Sequence, residues 1–381
     1  MTIPLDYPTL RIIWWALMGL LLIGFAVMGG ADLGVGMLLH RVAKTDEERR
    51  VVLNTVAPVW EGNQVWFILG AGSIFAAWPE IYAIAFSSFY FAMLLILFSL
   101  ILRPVGFKYR SKISNTTWRT TWDFCLFIGG FVPALLFGVA IGNVLQGIPF
   151  YYDENLRSFY TGTLLQLLNP FGLLCGIVSI AMLIMHGGIY LTIKTNGYIQ
   201  KRAITYVYLG AFLTIISFAI GGWWIWNNIS GYVLVNAVPL DGLSNPLHKK
   251  VALQLGAWIT NYYTHPRFII APLFGLAGPV LVLLLVKLQS YRLAWIASAL
   301  SISGIIATVG LSMFPFILPS SINPDMSLLI WDASSSHITL FVMLIATAIF
   351  IPLIIMYTSW VFYILRGKVT AEYVKNTKGS Y

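Results

Sequence analysis

Two carboxylates stand in this chain where hydrocarbon is expected. Asp32 lies within VMGGADLGVGMLLHR (27–41), and Glu61 lies within NTVAPVWEGNQVWFILGAGSIFAAW (54–78). A charge in the bilayer interior costs several kcal/mol unless a partner, water or a proton compensates it. Asp32 is nine residues before Arg41, and Glu61 is eleven after Arg50. At ~1.5 Å of rise per residue this places them about 14 and 16 Å from those basic residues. The acids are therefore expected at matching depth on adjacent antiparallel helices, sharing one dry layer. Such a pair is suited to taking up and releasing protons near neutral pH. The alternative for each acid is an ion pair with an arginine, or a helix-end cap.

The neighbouring residues extend the same theme. Asn63 and Gln64 could hold water or orient the carboxylates. Trp60 and Trp66 flank Glu61, where flat aromatic surfaces could line a quinone or lipid-tail groove or simply pack. Gly30 and Gly34 place small residues four apart around Asp32, which permits close backbone approach to another helix. Gly138 with Gly142 and Gly172 with Gly176 repeat that spacing. Arg103 ends an apolar run and is expected to snorkel to the surface.

Self-contained redox or hydrolytic chemistry is not encoded in a recognisable motif. Of five histidines only His186 lies well inside an apolar stretch. A low-spin haem needs two axial ligands on facing helices, so no haem ligand is assigned, and His186 reads as a hydrogen-bonded core residue. Cys125 and Cys175 both fall in apolar stretches without metal-type spacing and are expected as free thiols. No metal site, P-loop, GxSxG elbow, HExxH or GxGxxG in context is present.

The elements that position these residues are membrane helices. The 381 residues are 59% hydrophobic and 10% charged, against roughly 25% charged in soluble domains. Mean hydropathy is +0.82. The expected fold class is all-α, a polytopic membrane protein forming one domain over 1–381. Nine spans are predicted near 10–39, 54–77, 80–102, 120–146, 164–193, 203–227, 268–287, 291–317 and 335–365. No cleavable signal peptide is expected. The net charge of +9 reflects basic loops rather than nucleic-acid binding. Eighteen of the 23 Lys and Arg residues fall in alternate loops and the C-terminal tail, which places the N-terminus outside and the C-terminus in the cytoplasm. The segment near 228–267, with DGLSNPLHKK, then forms an ordered extracytoplasmic cap. Tryptophans near span ends, among them Trp14, Trp78, Trp122, Trp223 and Trp331, suggest an interfacial belt. NPF (169–171) and FPF (314–316) hint weakly at internal duplication.

FAVMGGADLGVGML (25–38), TDEERR (45–50), NTVAPVWEGNQVW (54–66), LRPVGFKYRSKI (102–113), GVAIGNVLQGIPF (138–150), LLNPFGLLCG (167–176), SMFPFILPSS (312–321) and LLIWDASSSHITL (328–340) together resemble subunit II of the cytochrome bd quinol oxidases, from end to end. The resemblance implies a bacterial cytoplasmic-membrane complex that oxidises quinol and reduces dioxygen to water. It further implies two four-helix bundles plus one helix, docked on a haem-bearing subunit I that holds two b haems and haem d. A small single-helix accessory subunit and a bound quinone or lipid are compatible with it. By the same resemblance, the acid of W-[DE]-GN is Glu61 and that of the DLG element is Asp32, contributing to a proton route from the cytoplasm. Gly29 stands where the family usually carries a further acid, Ala31 replaces its phenylalanine, and Val59 replaces a histidine seen in some relatives. A proton-coupled transporter and a purely structural partner subunit remain as competing readings of buried acids.

Overall fold

In the computed structural model, which describes residues 3–376, the long apolar runs become helices and the connections at one end become a compact cap. The helices are α1 (Tyr7–Val42), α2 (Asp46–Val56), α3 (Trp60–Asn63), α4 (Val65–Ala77), α5 (Pro79–Ser88), α6 (Tyr90–Tyr109), α7 (Thr116–Gln146), α8 (Leu164–Leu167), α9 (Pro170–Lys194), α10 (Gly197–Asn228), α11 (Ala257–Thr264), α12 (Ile270–Lys287), α13 (Tyr291–Met313), α14 (His337–Ile364) and α15 (Ala371–Asn376). Among the described residues, eight helices are long and apolar enough to cross a membrane. A ninth appears only if the pair 60–77 and 79–88, bent by 120°, counts as one span.

The predicted second and third spans differ most from expectation. The run 54–77 is not one helix, because α2 stops at Val56 and the chain turns through Ala57–Val59 before α3 begins. Pro58 accounts for the stop, since it has no N–H to donate to the Asn54 carbonyl and its ring crowds the preceding turn, although Ala57 itself keeps helical angles. Depth counted from Arg50 along a continuous helix therefore overstates how far Glu61 lies from the basic end. The chain turns again at Trp78, and α5 gives way to α6 at Phe89. The all-α expectation also needs amending by three short antiparallel pairs. These are β1 (Phe150–Tyr152) with β2 (Ser158–Tyr160), β3 (Ser230–Leu234) with β4 (Val251–Leu255), and β5 (Phe316–Leu318) with β6 (Leu328–Leu329).

Helix α9 is the axis of the assembly, packing against α1, α7, α10 and α13. Its contact with α1 is a backbone contact. A Cβ built on Gly34 would lie 2.1 Å from the carbonyl oxygen of Leu183 and 3.0 Å from Cα of Gly187. The spacing read around Asp32 therefore does what it suggested. Gly138 likewise meets the Cys175 carbonyl and Gly176 across α7 and α9. Helix α14 is the opposite case, lying against α1 with most of its apolar surface uncovered. Both cysteines are unpaired and half-buried.

At the basic end, TDEERR builds a cap and an ion-pair network. Thr45 and Glu48 form a reciprocal capping box that starts α2. The buried carboxylate of Asp123 accepts from Arg110 Nε and Nη2 and from Arg49 Nη1. Asp46 accepts from Arg110 and Arg119, and Glu48 from Arg202. Several of the loop cations are thus committed to joining α2, α6, α7 and α10.

At the other end, DGLSNPLHKK is ordered as expected. Arg11, fully buried on α1, donates to the carbonyls of Leu240 and Gly242 and to the Ser334 hydroxyl. Lys249 Nζ donates to Asp332 at 2.6 Å and to the Pro246 carbonyl, while the Leu329 N–H donates to the second oxygen of Asp332 at 2.8 Å. Burial pushes the Asp332 carboxyl up from its usual range and the Lys249 amine down. Each opposes the other's shift by its charge. The cap also overturns part of the tryptophan belt. Trp14, Trp78 and Trp331 are buried beneath it, with the Trp14 indole N–H donating to the Leu340 carbonyl at 2.9 Å, whereas Trp223 and Trp226 are exposed. NPF and FPF play opposite parts. Asn169 caps the start of α9 by accepting from the Gly172 N–H, while Phe314–Phe316 follows the end of α13.

Two outcomes follow from this packing. Gly34→Val, which drives a side chain into the α9 backbone, should cost on the order of 1–3 kcal/mol or more and lower the thermal midpoint and yield of the purified protein. Gly19→Ala, whose Cβ meets nothing within 4 Å, should do neither. Asp332→Asn leaves Lys249 charged in a dry site and should cost about 3–5 kcal/mol. Pairing Lys249→Met with Asp332→Leu should recover most of that loss in the same melting measurement.

Candidate functional site

The site is assembled from α1, α3 and α6 around Asp32. Helix α1 supplies the carboxylate, which is 2% exposed and walled by the α1–α9 backbone contact two residues further on. The short helix α3 follows the Pro58 turn and presents Asn63, whose Nδ2 donates to Asp32 Oδ2 at 2.9 Å. From α9, Tyr190 lies within electrostatic reach of Asp32 and donates its hydroxyl to the Thr55 carbonyl at 2.8 Å. The position that would carry a further acid, Gly29, is filled from within its own helix. A Cβ there would meet the Phe25 ring at 2.7 Å.

Arg103 is the residue that sequence reasoning misplaced. It does not snorkel. It is 3% exposed, and its guanidinium acts electrostatically on Asp32 without forming an ion pair with it. Its guanidinium carbon lies 5.7 Å from the Trp60 ring centroid, a cation–π distance. Its stem passes over Gly129 of α7, where a Cβ would approach Arg103 Cγ to 2.6 Å. One signal in the sequence points this way. Arg103 precedes Pro104, and α6 continues through Tyr109, so the arginine lies a full turn inside the helix rather than at its end.

The other predicted residues separate. Glu61 is exposed on the outer face of the bundle and makes no ion pair among the described residues. The expected single dry layer holding both acids is thus divided into a buried acid and a surface acid, joined through the short α3. Gln64 Nε2 and Asn63 Oδ1 are buried without a protein partner. Trp60 is half-buried, tilted against Phe107 at 5.7 Å between centroids. Trp66 is 7% exposed and belongs to a different apolar cluster with Leu21, Phe25 and Met182. The two indoles therefore do not face one groove.

His186 is hydrogen-bonded at both ring nitrogens, to the Ser298 hydroxyl at 2.7 Å and to the Val27 carbonyl at 2.9 Å, and it stacks on Trp295. An imidazole committed in this way does not fit an axial haem ligand. The described residues also hold no group of three or more His, Cys, Asp or Glu suited to a metal ion. What the site offers chemically is a set of charged and titratable groups in and beside a dry layer. A buried carboxylate, a carboxylate on the surface two residues from its hydrogen-bond donor, and a nearby guanidinium are the parts it offers.

Comparison with known proteins agrees with the motif resemblance. The profile of the family described as cytochrome bd terminal oxidase subunit II matches residues 10–365. The chain is 47% identical over 378 residues to cytochrome bd-I ubiquinol oxidase subunit 2 of Escherichia coli (strain K12), covering 99% of this chain and 100% of that protein. It is 45% identical over 376 residues to the probable cytochrome oxidase subunit 2 of Haemophilus influenzae, covering 99% of each. Its fold resembles a chain of the bd oxidase structure from Geobacillus thermodenitrificans, with a TM-score of 0.70 at 14% identity, covering 93% of this chain and 98% of that one. With a profile match over residues 10–365 and relatives near half identity, this chain belongs to the cytochrome bd terminal oxidase subunit II family.

Proposed function

We propose that this chain is the haem-free partner of a haem-bearing subunit I in a heterodimeric quinol oxidase of the bacterial cytoplasmic membrane. Its two tasks are to scaffold that subunit and to deliver protons from the cytoplasm for reduction of dioxygen to water. The naming of its relatives as ubiquinol oxidase subunits supports quinol as the electron donor of the complex. The loop-charge bias supports an N-terminus outside and a C-terminus in the cytoplasm. The two b haems and haem d would then reside in the partner, in keeping with the committed imidazole of His186.

One observation carries the proton role. Asp32, 2% exposed, accepts a hydrogen bond from Asn63, and Asn63 lies two residues beyond Glu61 on the same short helix. An intramembrane acid that is buried, hydrogen-bonded and linked to a second acid at the bundle surface is suited to relaying protons. A scaffold alone would not need to bury it. The Pro58 turn favours the same reading, because it brings Glu61 nearer the basic end than a continuous helix would. The uncovered apolar faces of α4, α6 and α14 give subunit I and lipid ample surface to cover.

Glu61→Gln is the direct test, because it keeps the shape and removes the titrating proton. The expected result is an assembled, fully haem-loaded complex whose oxygen consumption with quinol falls roughly tenfold, equivalent to about 1.4 kcal/mol on the limiting step. Wild-type turnover in that variant at every pH would remove Glu61 from the route. Loss of assembly with loss of haem would assign the residue to the scaffold instead.

A further inference from the structure

We infer that Arg103 is the fixed counter-charge of Asp32, forming with it a water-separated ion pair inside the bundle, and that it is a positioning residue for the proton route. The second half rests on the proton-route reading above; the first half does not. The guanidinium is 3% exposed, and both Nη1 and Nη2 are buried without a protein partner. Arginine keeps its charge in proteins. A buried charge must find compensation or cost several kcal/mol. Among the described residues, the only charge acting on Arg103 is Asp32.

The groups facing Asp32 from the packed elements are few: Arg103 from α6, Asn63 from α3 and Tyr190 from α9. Tyr190 spends its proton on the Thr55 carbonyl, and Asn63 is neutral. Arg103 is therefore the one positive charge available to the carboxylate. The pair makes no direct contact, and the unpartnered atoms in its neighbourhood indicate what bridges it. Arg103 Nη1 and Nη2, and Oδ1 of the Asn63 amide that donates to Asp32, are buried polar atoms without protein partners. Together with the free lone pairs of Asp32 they supply the two to four contacts that a buried water requires. Water between carboxylate and guanidinium leaves the acid able to exchange a proton, which a direct bidentate clamp would oppose.

The arrangement is built rather than incidental. Gly129 provides clearance for the arginine stem, since a Cβ there would sit 2.6 Å from Arg103 Cγ and 2.9 Å from the Ser99 carbonyl. The Trp60 ring lies within cation–π distance of the guanidinium. The cation is held where it is, and the carboxylate and the water move the proton.

The test uses the full complex carrying Arg103→Gln, Arg103→Lys, Asp32→Asn, and Asp32→Asn combined with Arg103→Gln. Infrared difference spectroscopy reads the carboxyl directly. Arg103→Gln should convert Asp32 from carboxylate to carboxylic acid, seen as a new C=O stretch that vanishes when Asp32→Asn is added. Oxygen consumption should fall roughly tenfold in Arg103→Gln and recover in large part in Arg103→Lys. An unchanged carboxyl spectrum in Arg103→Gln overturns the counter-charge. If Arg103→Gln fails to assemble, haem content decides: assembly regained in the double variant supports a matched pair, and equal failure in the double variant overturns it. Wild-type turnover in assembled Asp32→Asn would sink the proton route while leaving the spectral result to judge the ion pair on its own.

Discussion

Everything near Asp32 depends on how closely α1 approaches α9. The contact is made by main chain, Gly34 against the Leu183 carbonyl and Gly187, and such an approach is open only where small residues leave the backbones room to meet. The closeness excludes lipid from the carboxylate two residues away. It also forces the charge of Asp32 to be settled within the protein, by Asn63 from α3 and by the field of Arg103 from α6. Removing this contact would leave an acid in a loose apolar bundle. With it in place, the acid has a defined polar neighbourhood.

The two ends of the bundle fix the elements that meet there. At the basic end, Asp123 and Asp46 draw Arg49, Arg110 and Arg119 into one network, which pins α2 and so sets where the Pro58 turn delivers α3. At the opposite end, Arg11 and the Lys249–Asp332 pair hold the 235–250 loop over Trp14 and Trp331. Buried ion pairs of this kind are weak sources of net stability, and breaking one is strongly destabilising. Their effect here is to specify which helix ends lie together.

Much of the architecture was legible in hydropathy. The apolar runs placed α1, α7, α9, α10, α12, α13 and α14 to within several residues, because twenty apolar residues in sequence leave few alternatives. The small-residue spacing around Asp32 predicts its backbone contact, and the place of His186 inside an apolar run predicts its buried, hydrogen-bonded ring. Breaks in the second and third spans were harder to see. A window average passes over Pro58 and Trp78, where local backbone chemistry rather than hydrophobicity decides. Trp14 and Trp78 read as interfacial by their position, yet the cap covers them, and no local pattern encodes a covering made by residues far along the chain.

The sequence alone determined the class of molecule, its family, most of its long apolar helices, and the two acids that need explaining. Each of these follows from composition or from local order. Only the tertiary structure decided that Asp32 is enclosed while Glu61 faces outward, that Trp60 and Trp66 lie in separate clusters, and that Arg103 turns inward to Asp32. The physical reason is that burial and electrostatic compensation are properties of neighbours brought together by packing. The direction of a long side chain such as arginine depends on whether the facing helix, here at Gly129, leaves it room.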